Sequence, residues 1–219
     1  MYLRQLQVSQ RADLSHEIIE AETLLKPLTL IPDTAAGRLQ LFGVEGFIAD
    51  RYFAALKKLY RFPGRIPRGR ARFNSALNYG YGVLYNEVER ALLYVGLDPY
   101  VGLYHSERYG KPALVLDVVE EFRVPVVDSA VFPLFLSRTL TRLENYVRSQ
   151  SNEYTLAAEG KRHIVTAIYQ RLNRVVPWAG RRLALKTVIE YQARALSWIF
   201  LGRRKTYTPF PLTALLERP

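Results

Sequence analysis

Apolar residues recur every three or four positions along most of the chain, and this spacing predicts a series of amphipathic helices. The predicted helices cover residues 13–25, 41–59, 73–95, 117–123, 130–146, 159–175 and 181–201. Pro27 and Pro32 end the first of them, and Pro125 interrupts the chain after the fourth. The sequence contains no internal repeat, heptad array or low-complexity tract. The predicted fold class is therefore mainly α, a multi-helix globular domain.

The stretch at residues 96–123 places an isolated histidine ahead of an acidic run. His105 lies in a segment rich in glycine, tyrosine and charge, and a short apolar run then leads to Asp117, Glu120 and Glu121. In a helix, Asp117 and Glu120 lie one turn apart on the same face, with Glu121 beside them. Two carboxylates then face one way with an imidazole available. The alternative interpretation is that the acids only mark a helix start, where the macrodipole favours them, and that His105 is a surface residue.

Glu45 is a candidate third ligand for such a site. It lies among Phe42, Val44, Phe47 and Ile48, where a carboxylate must be paired, bind a metal or protrude from the helix face. The chain has no cysteine and only three histidines, which excludes zinc–thiolate sites and disfavours a site of several imidazoles. Carboxylates with one histidine suit Mg²⁺ or Mn²⁺, because these ions prefer oxygen ligands.

The charge of the chain points to a polyanionic partner. Lysine and arginine outnumber aspartate and glutamate by 31 to 20, which gives a formal charge of +11 and a pI near 9.9. Nucleic acid fits better than a membrane surface, because the sequence has neither a long apolar run nor a basic amphipathic helix at its start. The first residues are too polar for a secretory signal, so a cytoplasmic location is predicted.

Residues 61–72, RFPGRIPRGRAR, break the helical pattern with two prolines and two glycines. Arginines in such a loop can bind phosphate oxygens through their planar guanidinium groups. The other interpretation is a solvated basic loop. The predicted DNA-binding residues are Arg65, Arg68, Arg70 and Arg72 of this segment, Arg51 upstream, and Arg108, Lys111 and Arg123 close to His105 and the acidic run.

Five segments carry a resemblance to a known family. They are residues 41–53 (LFGVEGFIADRYF), 74–81 (NSALNYGY), 96–123 (GLDPYVGLYHSERYGKPALVLDVVEEFR), 159–162 (EGKR) and 207–210 (YTPF). With these segments, the chain resembles the CRISPR-associated integrases that insert new spacers, the family often called CRISPR-associated protein one. The resemblance covers most of the chain from residue 41 onward, and the long central segment is its most specific part.

The resemblance implies a fold and a domain organisation. It implies an α-helical catalytic domain at residues 34–219, preceded by a lead and connecting helix at residues 1–33. It also implies a separate β-rich dimerisation domain at the N-terminus, and residues 1–33 show no run of alternating strands. The chain is then an abbreviated member or a fragment. Ala71 stands where family members commonly have aspartate, which predicts the loss of a helix cap and not of catalysis.

The resemblance also implies an activity. A divalent ion, Mg²⁺ or Mn²⁺, is expected on Glu45, His105 and Glu120, with Asp117 as support or as an alternative ligand. The expected reaction is transesterification, in which a 3′-hydroxyl attacks a phosphodiester of the repeat array, and its reversal resolves branched DNA. Double-stranded and branched DNA, a second copy of the chain and a small bridging protein are the expected partners. Two alternatives remain, a general metal-dependent nuclease and a catalytically idle DNA-binding or assembly subunit.

Overall fold

The computed structural model describes residues 13–25, 34–60, 64–66, 69–105 and 109–211. The chain divides into two compact units, Met1–Ile66 and Pro67–Pro219, and the domain boundary after residue 33 remains a prediction. The mainly α class is confirmed, because the strands within the described residues form only two short hairpins. In the same residues, no helix combines the length and the hydropathy needed to cross a membrane.

In the described part of the first unit, two helices pack against each other, α1 (Ser15–Leu25) and α2 (Ala35–Tyr60). Leu14 and Leu56 are among the side chains buried in this unit. The start of α2 lies six residues before the predicted one, because Thr34 caps the helix and its Oγ1 accepts the Gly37 N–H at 3.0 Å. The apolar spacing marked only the later turns of α2, whereas the cap determines its start.

An ion pair joins the two helices of the first unit. Glu17 of α1 is only 5% exposed and pairs with Lys58 of α2. Burial by itself raises the pKa of the Glu17 carboxyl, but the hydrogen bond and the charge of Lys58 outweigh burial and hold the pKa below its ordinary value. A carboxyl with a lowered folded-state pKa stabilises the fold above its unfolded-state pKa, and this contribution is lost as the pH falls through the folded-state value.

We expect Lys58→Met to lower the free energy of unfolding of the first unit by about 1–3 kcal/mol at pH 7, because the buried carboxylate loses its cation. The difference from the wild type should shrink as the pH falls below 4.5, the ordinary pKa of the group. Urea denaturation at several pH values measures both effects. The same substitution in a Glu17→Gln background is the control, and an equally large, pH-dependent loss there would contradict the pairing.

The second unit is built around α3. Its helices are α3 (Arg72–Tyr94), α4 (Ala113–Val119), α5 (Ser129–Leu136), α6 (Ala158–Leu172) and α7 (Leu185–Phe200). Its antiparallel hairpins pair β1 (Tyr146–Arg148) with β2 (Tyr154–Leu156) and β3 (Val175–Trp178) with β4 (Arg181–Ala184). α3 packs against α4, α6 and α7 through a buried face that includes Leu77, Leu84 and Val88. The core of this unit therefore surrounds α3.

The first turn of α3 has no side-chain cap. Ala71 occupies the N-cap position and makes no side-chain hydrogen bond, so the predicted loss of a cap is confirmed. β2 fixes the helix start instead: the Tyr154 N–H donates to the Arg70 carbonyl at 2.8 Å, and the Ser75 hydroxyl donates to the Tyr154 carbonyl at 2.5 Å. A tertiary contact replaces the local one.

Between α4 and α5 the chain follows a turn and then a π-helical segment, Arg123–Asp128. The predicted break at Pro125 is therefore wrong, because the chain continues helically through it. Proline lacks the N–H that an α-helix needs, and the wider π-helical turn accommodates that gap. The Pro125 carbonyl accepts hydrogen bonds from the Ser129 hydroxyl at 2.6 Å and from the Arg171 guanidinium at 3.2 Å.

Three further predicted helices differ from the structure. The helix predicted at residues 117–123 is shifted, because α4 begins at Ala113 and already ends at Val119. The helix predicted at residues 130–146 is wrong in its second half, because α5 ends at Leu136 and Arg138 adopts a left-handed conformation with φ 61°. Short 3₁₀ turns and β1 follow. The last helix begins at Leu185 and not at residue 181, because residues 181–184 pair with β3. At the last helix, strand pairing overrides the apolar periodicity.

Candidate active site

The loop between α3 and α4 folds over the first turn of α4 and carries His105. The Leu114 N–H donates to the Pro99 carbonyl at 2.9 Å, which ties the loop to the helix. Gly102 makes the closest approach. A Cβ at this position would lie 2.3 Å from the His105 carbonyl oxygen and 2.7 Å from the Ala113 Cβ. The loop conformation that places His105 therefore requires a residue without a side chain at position 102.

We expect Gly102→Ala to lower the free energy of unfolding of the second unit by about 1–3 kcal/mol, because the new methyl group collides with backbone. Gly82→Ala is the matched control, since a Cβ at Gly82 in α3 meets nothing within 4 Å, and it should stabilise the helix by up to about 1 kcal/mol. Urea denaturation of both variants measures the difference. Equal behaviour of the two variants would show that the close approach at Gly102 does not constrain the loop.

Asp117 of α4 holds the loop and orients His105. Its Oδ2 accepts the N–H groups of Leu103 at 2.7 Å and Tyr104 at 3.0 Å. Its Oδ1 accepts the His105 N–H at 2.9 Å and contacts His105 Nδ1 at 2.6 Å. Both side chains are largely buried, Asp117 at 9% and His105 at 17% exposure. A carboxylate can only accept, so Nδ1 carries the proton and Nε2 is the basic nitrogen of the neutral ring.

This hydrogen-bonding pattern has a chemical meaning. Histidines that bind metals commonly donate the other ring N–H to a carboxylate, which sets the tautomer and the ring orientation. Both oxygens of Asp117 are used by the loop and the imidazole. The geometry therefore supports Asp117 as the residue that positions His105.

Glu120 follows directly after α4 and keeps helical backbone angles, φ −57° and ψ −33°. It therefore lies one turn from Asp117 on the same face, as the sequence predicted. Its carboxylate accepts two hydrogen bonds from Arg123 Nη1, at 2.8 and 3.1 Å. The Arg123 guanidinium also packs over the Tyr81 ring, 4.6 Å from its centroid.

Arg123 is held as a cation in this position. Burial by itself lowers the pKa of the Arg123 guanidinium, but Tyr81 and Glu120 outweigh burial and raise the pKa above its ordinary value. The Tyr81 hydroxyl is fixed in turn, because it donates to the buried Asp128 carboxylate at 2.7 Å. A positive charge therefore lies directly beside Glu120.

Glu121 does not join Asp117 and Glu120, and the expectation that the three acids lie together is wrong for this residue. Its carboxylate accepts hydrogen bonds from the Gln192 amide at 2.9 Å, from the Phe210 N–H at 2.8 Å and from the Tyr207 hydroxyl. Burial and the neighbouring Glu121 raise the pKa of Tyr207 well above its ordinary value, so the hydroxyl remains protonated and donates.

Glu45 lies half-buried in the middle of α2, in the first unit. Among the residues that the structure describes, no group of three or more His, Asp or Glu side chains could hold a metal ion. Within the second unit, one imidazole of fixed tautomer and one carboxylate on a helical face form a donor set that suits Mg²⁺ or Mn²⁺. The participation of Glu45 remains a prediction.

Arg51 and Arg65, two predicted DNA-binding residues, belong to the first unit. Arg51 pairs with Glu20 at 3.1 Å and packs over the Phe47 ring at 4.5 Å. Arg65 Nη1 donates to the carbonyl of Ile66 at 3.1 Å. These contacts lie within the first unit, and the phosphate-binding role of both arginines remains a prediction.

Arg70 and Arg72 are used structurally in the second unit. Arg70 forms an ion pair with Glu153 at 2.9 Å. Arg72 donates to the Thr141 carbonyl at 2.7 Å and packs over the Tyr154 ring at 5.5 Å. The two arginines therefore fasten the start of α3 to the β1–β2 region, and their predicted role toward DNA is untested. Of the other predicted residues, Lys111 is half-buried, and Arg68 and Arg108 lie outside the described residues.

Sequence reasoning gave no role to Gly102 or Gln192. The glycine belonged to a glycine-rich segment with no feature to single it out. The position of Gln192 could have been noticed in the sequence, because it interrupts the apolar face of α7 three residues after Ile189 and four before Leu196. In the structure this side chain is 1% exposed. A polar residue on a buried face requires hydrogen-bond partners, although its position does not name them.

Comparisons with known proteins agree with one another. The family model for CRISPR associated protein Cas1 matches residues 1–170. A CRISPR-associated endonuclease Cas1 of Thermus thermophilus is 39% identical over 193 residues, which cover 85% of this chain and 58% of the relative. One from Leptospira interrogans is 28% identical over 212 residues, which cover 92% and 81%.

Solved structures show the same likeness. A casposase bound to an integration product superposes with a TM-score of 0.81 at 27% identity, covering 94% of this chain and 60% of that chain. A Cas6-RT-Cas1–Cas2 complex gives a TM-score of 0.76 at 21% identity, covering 93% and 23%. The chain spans about three fifths of the length of its Thermus relatives.

Proposed function

This chain belongs to the Cas1 family of CRISPR-associated proteins, and on that premise we propose that it is the catalytic part of a divalent-metal-dependent DNA integrase and endonuclease of CRISPR adaptation. The family predicted from the sequence motifs is thereby confirmed. The proposed activity is the joining of a free 3′ end of spacer DNA to the repeat array.

The observation that carries the proposal is the arrangement of His105, Asp117 and Glu120. Asp117 sets the tautomer of His105 through the 2.6 Å contact at Nδ1, and Glu120 lies one helical turn further on the same face. We propose Glu45, His105 and Glu120 as the ligands of Mg²⁺ or Mn²⁺, with Asp117 as the positioning residue. A bound divalent ion supplies Lewis-acid stabilisation of the charge that builds on a phosphoryl oxygen.

The proposed reaction conserves the number of phosphodiester bonds. The oxygen of a 3′-hydroxyl forms a new bond to the phosphorus of the target strand, and the bond from phosphorus to the target's own 3′ oxygen breaks. That oxygen leaves as a new 3′-hydroxyl after it takes up a proton, so no nucleotide cofactor is consumed. Arg123, a cation beside Glu120, is placed to bind a phosphate of either strand. Attack by water in place of the 3′-hydroxyl gives the endonuclease reaction.

The proposed partners follow from the family and from the charge of the chain. The excess of 11 positive charges suits double-stranded and branched DNA. A solved complex with this fold contains Cas1 together with Cas2, which supports a small bridging protein as a partner in the cytoplasm. A homodimer completes the proposed assembly.

The test uses a 5′-labelled duplex with free 3′-hydroxyl ends and a plasmid that carries a repeat. The protein is incubated with both, alone and with its bridging partner, in Mg²⁺, Mn²⁺ or EDTA. A duplex with 3′-dideoxy ends is the matched control, because it binds in the same way but cannot attack. We expect label to join the plasmid covalently only with a divalent ion and a 3′-hydroxyl.

Each other outcome identifies another function. Cleavage of the plasmid without joining, equal for both duplexes, would identify a general nuclease. Binding that weakens with salt but is indifferent to metal, with neither joining nor cleavage, would identify a binding or assembly subunit. Either result would overturn the integrase proposal.

A further inference from the structure

The C-terminal strap, which we define as residues 207–210 (YTPF), packs against the back of the acidic turn at residues 120–123. The Tyr207 hydroxyl and the Phe210 N–H donate to the carboxylate of Glu121. The Phe210 ring stacks on Phe122 with centroids 5.8 Å apart and meets the Trp178 ring edge-on at 5.7 Å. Phe122 is fully buried and Phe210 is 5% exposed, so the strap contributes Phe210 to the core of the second unit.

Gln192 of α7 completes the attachment. Its side-chain amide donates to Glu121 at 2.9 Å and to the Thr208 carbonyl at 3.0 Å. Both amide protons are therefore used, one on the acidic turn and one on the strap. At 1% exposure, this side chain has no access to water as a substitute partner, so the contacts between strap, turn and α7 depend on one another.

The first and last of the four residues of the acidic turn face outward, and the middle two face inward. Glu120 and Arg123 pair with each other and remain partly exposed, at 38% and 27%. Glu121 and Phe122 point inward and are bound by the strap. α4 ends at Val119 and the π-helical segment begins at Arg123, so regular helix does not hold the turn between them. The orientation of Glu120 and Arg123 therefore depends on how their two inward neighbours are held.

We propose that the C-terminal strap is a positioning device for the active site, which sets the orientation of Glu120 and Arg123 by holding Glu121 and Phe122 from behind. The inference rests on the proposed function in one respect, the assignment of Glu120 as a metal ligand. Tyr207 is the positioning residue through which the strap can be tested. Its hydroxyl hydrogen bond to Glu121 is a bond to a charged group, which is stronger than a bond between neutral partners.

The test compares Tyr207→Phe with Tyr169→Phe. Deletion of the strap would expose Phe122 and Trp178 and endanger folding, whereas Tyr207→Phe removes one oxygen atom. Tyr169 of α6 is the matched control, because its hydroxyl donates to a carboxylate in the same way, to Glu87 at 2.7 Å. Both variants therefore lose a tyrosine–glutamate hydrogen bond, but only one loses it at the acidic turn.

Two metal-dependent quantities are measured. Mn²⁺ binding is followed by the electron paramagnetic resonance signal of the free ion, and joining is measured as a function of Mn²⁺ and of duplex concentration. We expect Tyr207→Phe to weaken Mn²⁺ binding by about tenfold, as changes around the ligands of a metal do, and to raise the apparent KM for Mn²⁺ and, through Arg123, the KM for the duplex. Tyr169→Phe should leave both values as in the wild type. Equal effects of the two variants, or no effect on Mn²⁺, would overturn the proposal.

A third measurement needs neither metal nor activity. Amide hydrogen exchange of residues 117–128 in the metal-free protein should be faster in Tyr207→Phe than in the wild type, and unchanged in Tyr169→Phe. If the wild type binds no Mn²⁺ and joins no DNA, the proposed function fails, and the exchange result alone decides the strap. Faster exchange would then support the proposal that the strap stabilises the acidic turn, and unchanged exchange would overturn that proposal.

Discussion

His105→Ala is expected to lower the rate of joining 3′ ends to plasmid by roughly a thousandfold, as expected for an imidazole at a reacting centre. Asp117 directs the proton to Nδ1, which makes Nε2 the nitrogen that acts in the neutral ring. Alanine supplies neither a ligand nor a basic group in its place. Joining is measured in Mn²⁺ with the labelled duplex, beside fluorescence anisotropy of duplex binding, which should change little.

His163→Ala is the control for this result. His163 lies on α6 and pairs with Glu159 at 3.1 Å, at 36% exposure, so its loss should leave joining as in the wild type. The integrase proposal would be contradicted if His105→Ala retained wild-type joining. It would also be contradicted if His163→Ala were as inactive, because the loss would then not be specific to the site.

Asp117→Asn is expected to lower joining by about a hundredfold, near the upper end of the range for partners of metal-binding histidines. The carboxylate accepts three backbone N–H groups and the His105 Nδ1–H. Asparagine has one acceptor oxygen, so its NH₂ group must face donors on the other side. The loop and the imidazole then lose their common anchor, and His105 can adopt the other tautomer.

Asp98→Asn is the matched control for this substitution. Asp98 lies in the same loop, and its Oδ1 accepts a single hydrogen bond, from the Tyr100 N–H at 2.9 Å, which an asparagine oxygen can also accept. We expect wild-type joining from Asp98→Asn. In Asp117→Asn, the nitrogen-15 shifts of the His105 ring should report a changed tautomer. An unchanged tautomer with full activity would remove the positioning role from Asp117.

The two largest effects therefore separate two roles at one site. In the proposed mechanism His105 acts at the reacting centre, whereas Asp117 acts through His105. The loss of joining in His105→Ala should be nearly complete and insensitive to pH, because the imidazole itself is missing. The loss of joining in Asp117→Asn should be partial, because the imidazole remains and can still reach its working orientation part of the time.

The spacing of apolar and polar residues in the sequence was sufficient to predict the mainly α class and the existence of α1, α2, α3, α6 and α7. It also predicted that Asp117 and Glu120 lie close together. These features depend on local physics. Apolar residues at helical spacing bury one face, and residues three apart in a helix must share that face. The family followed from the motifs around His105, and the comparisons confirmed it. The same motifs predicted Asp117 as part of the site, as support or as an alternative ligand.

Only the tertiary structure shows what the Asp117 carboxylate binds, because that depends on which N–H groups of the loop at residues 103–105 reach it. The same holds for Glu121, whose partner Tyr207 is 86 positions away, and for the β3–β4 hairpin, where pairing overrode helical periodicity at residues 181–184. The close approach at Gly102 is likewise a property of packing. Local periodicity reports which face of an element is apolar, whereas the partner of each polar group is set by contacts between segments that are remote in sequence.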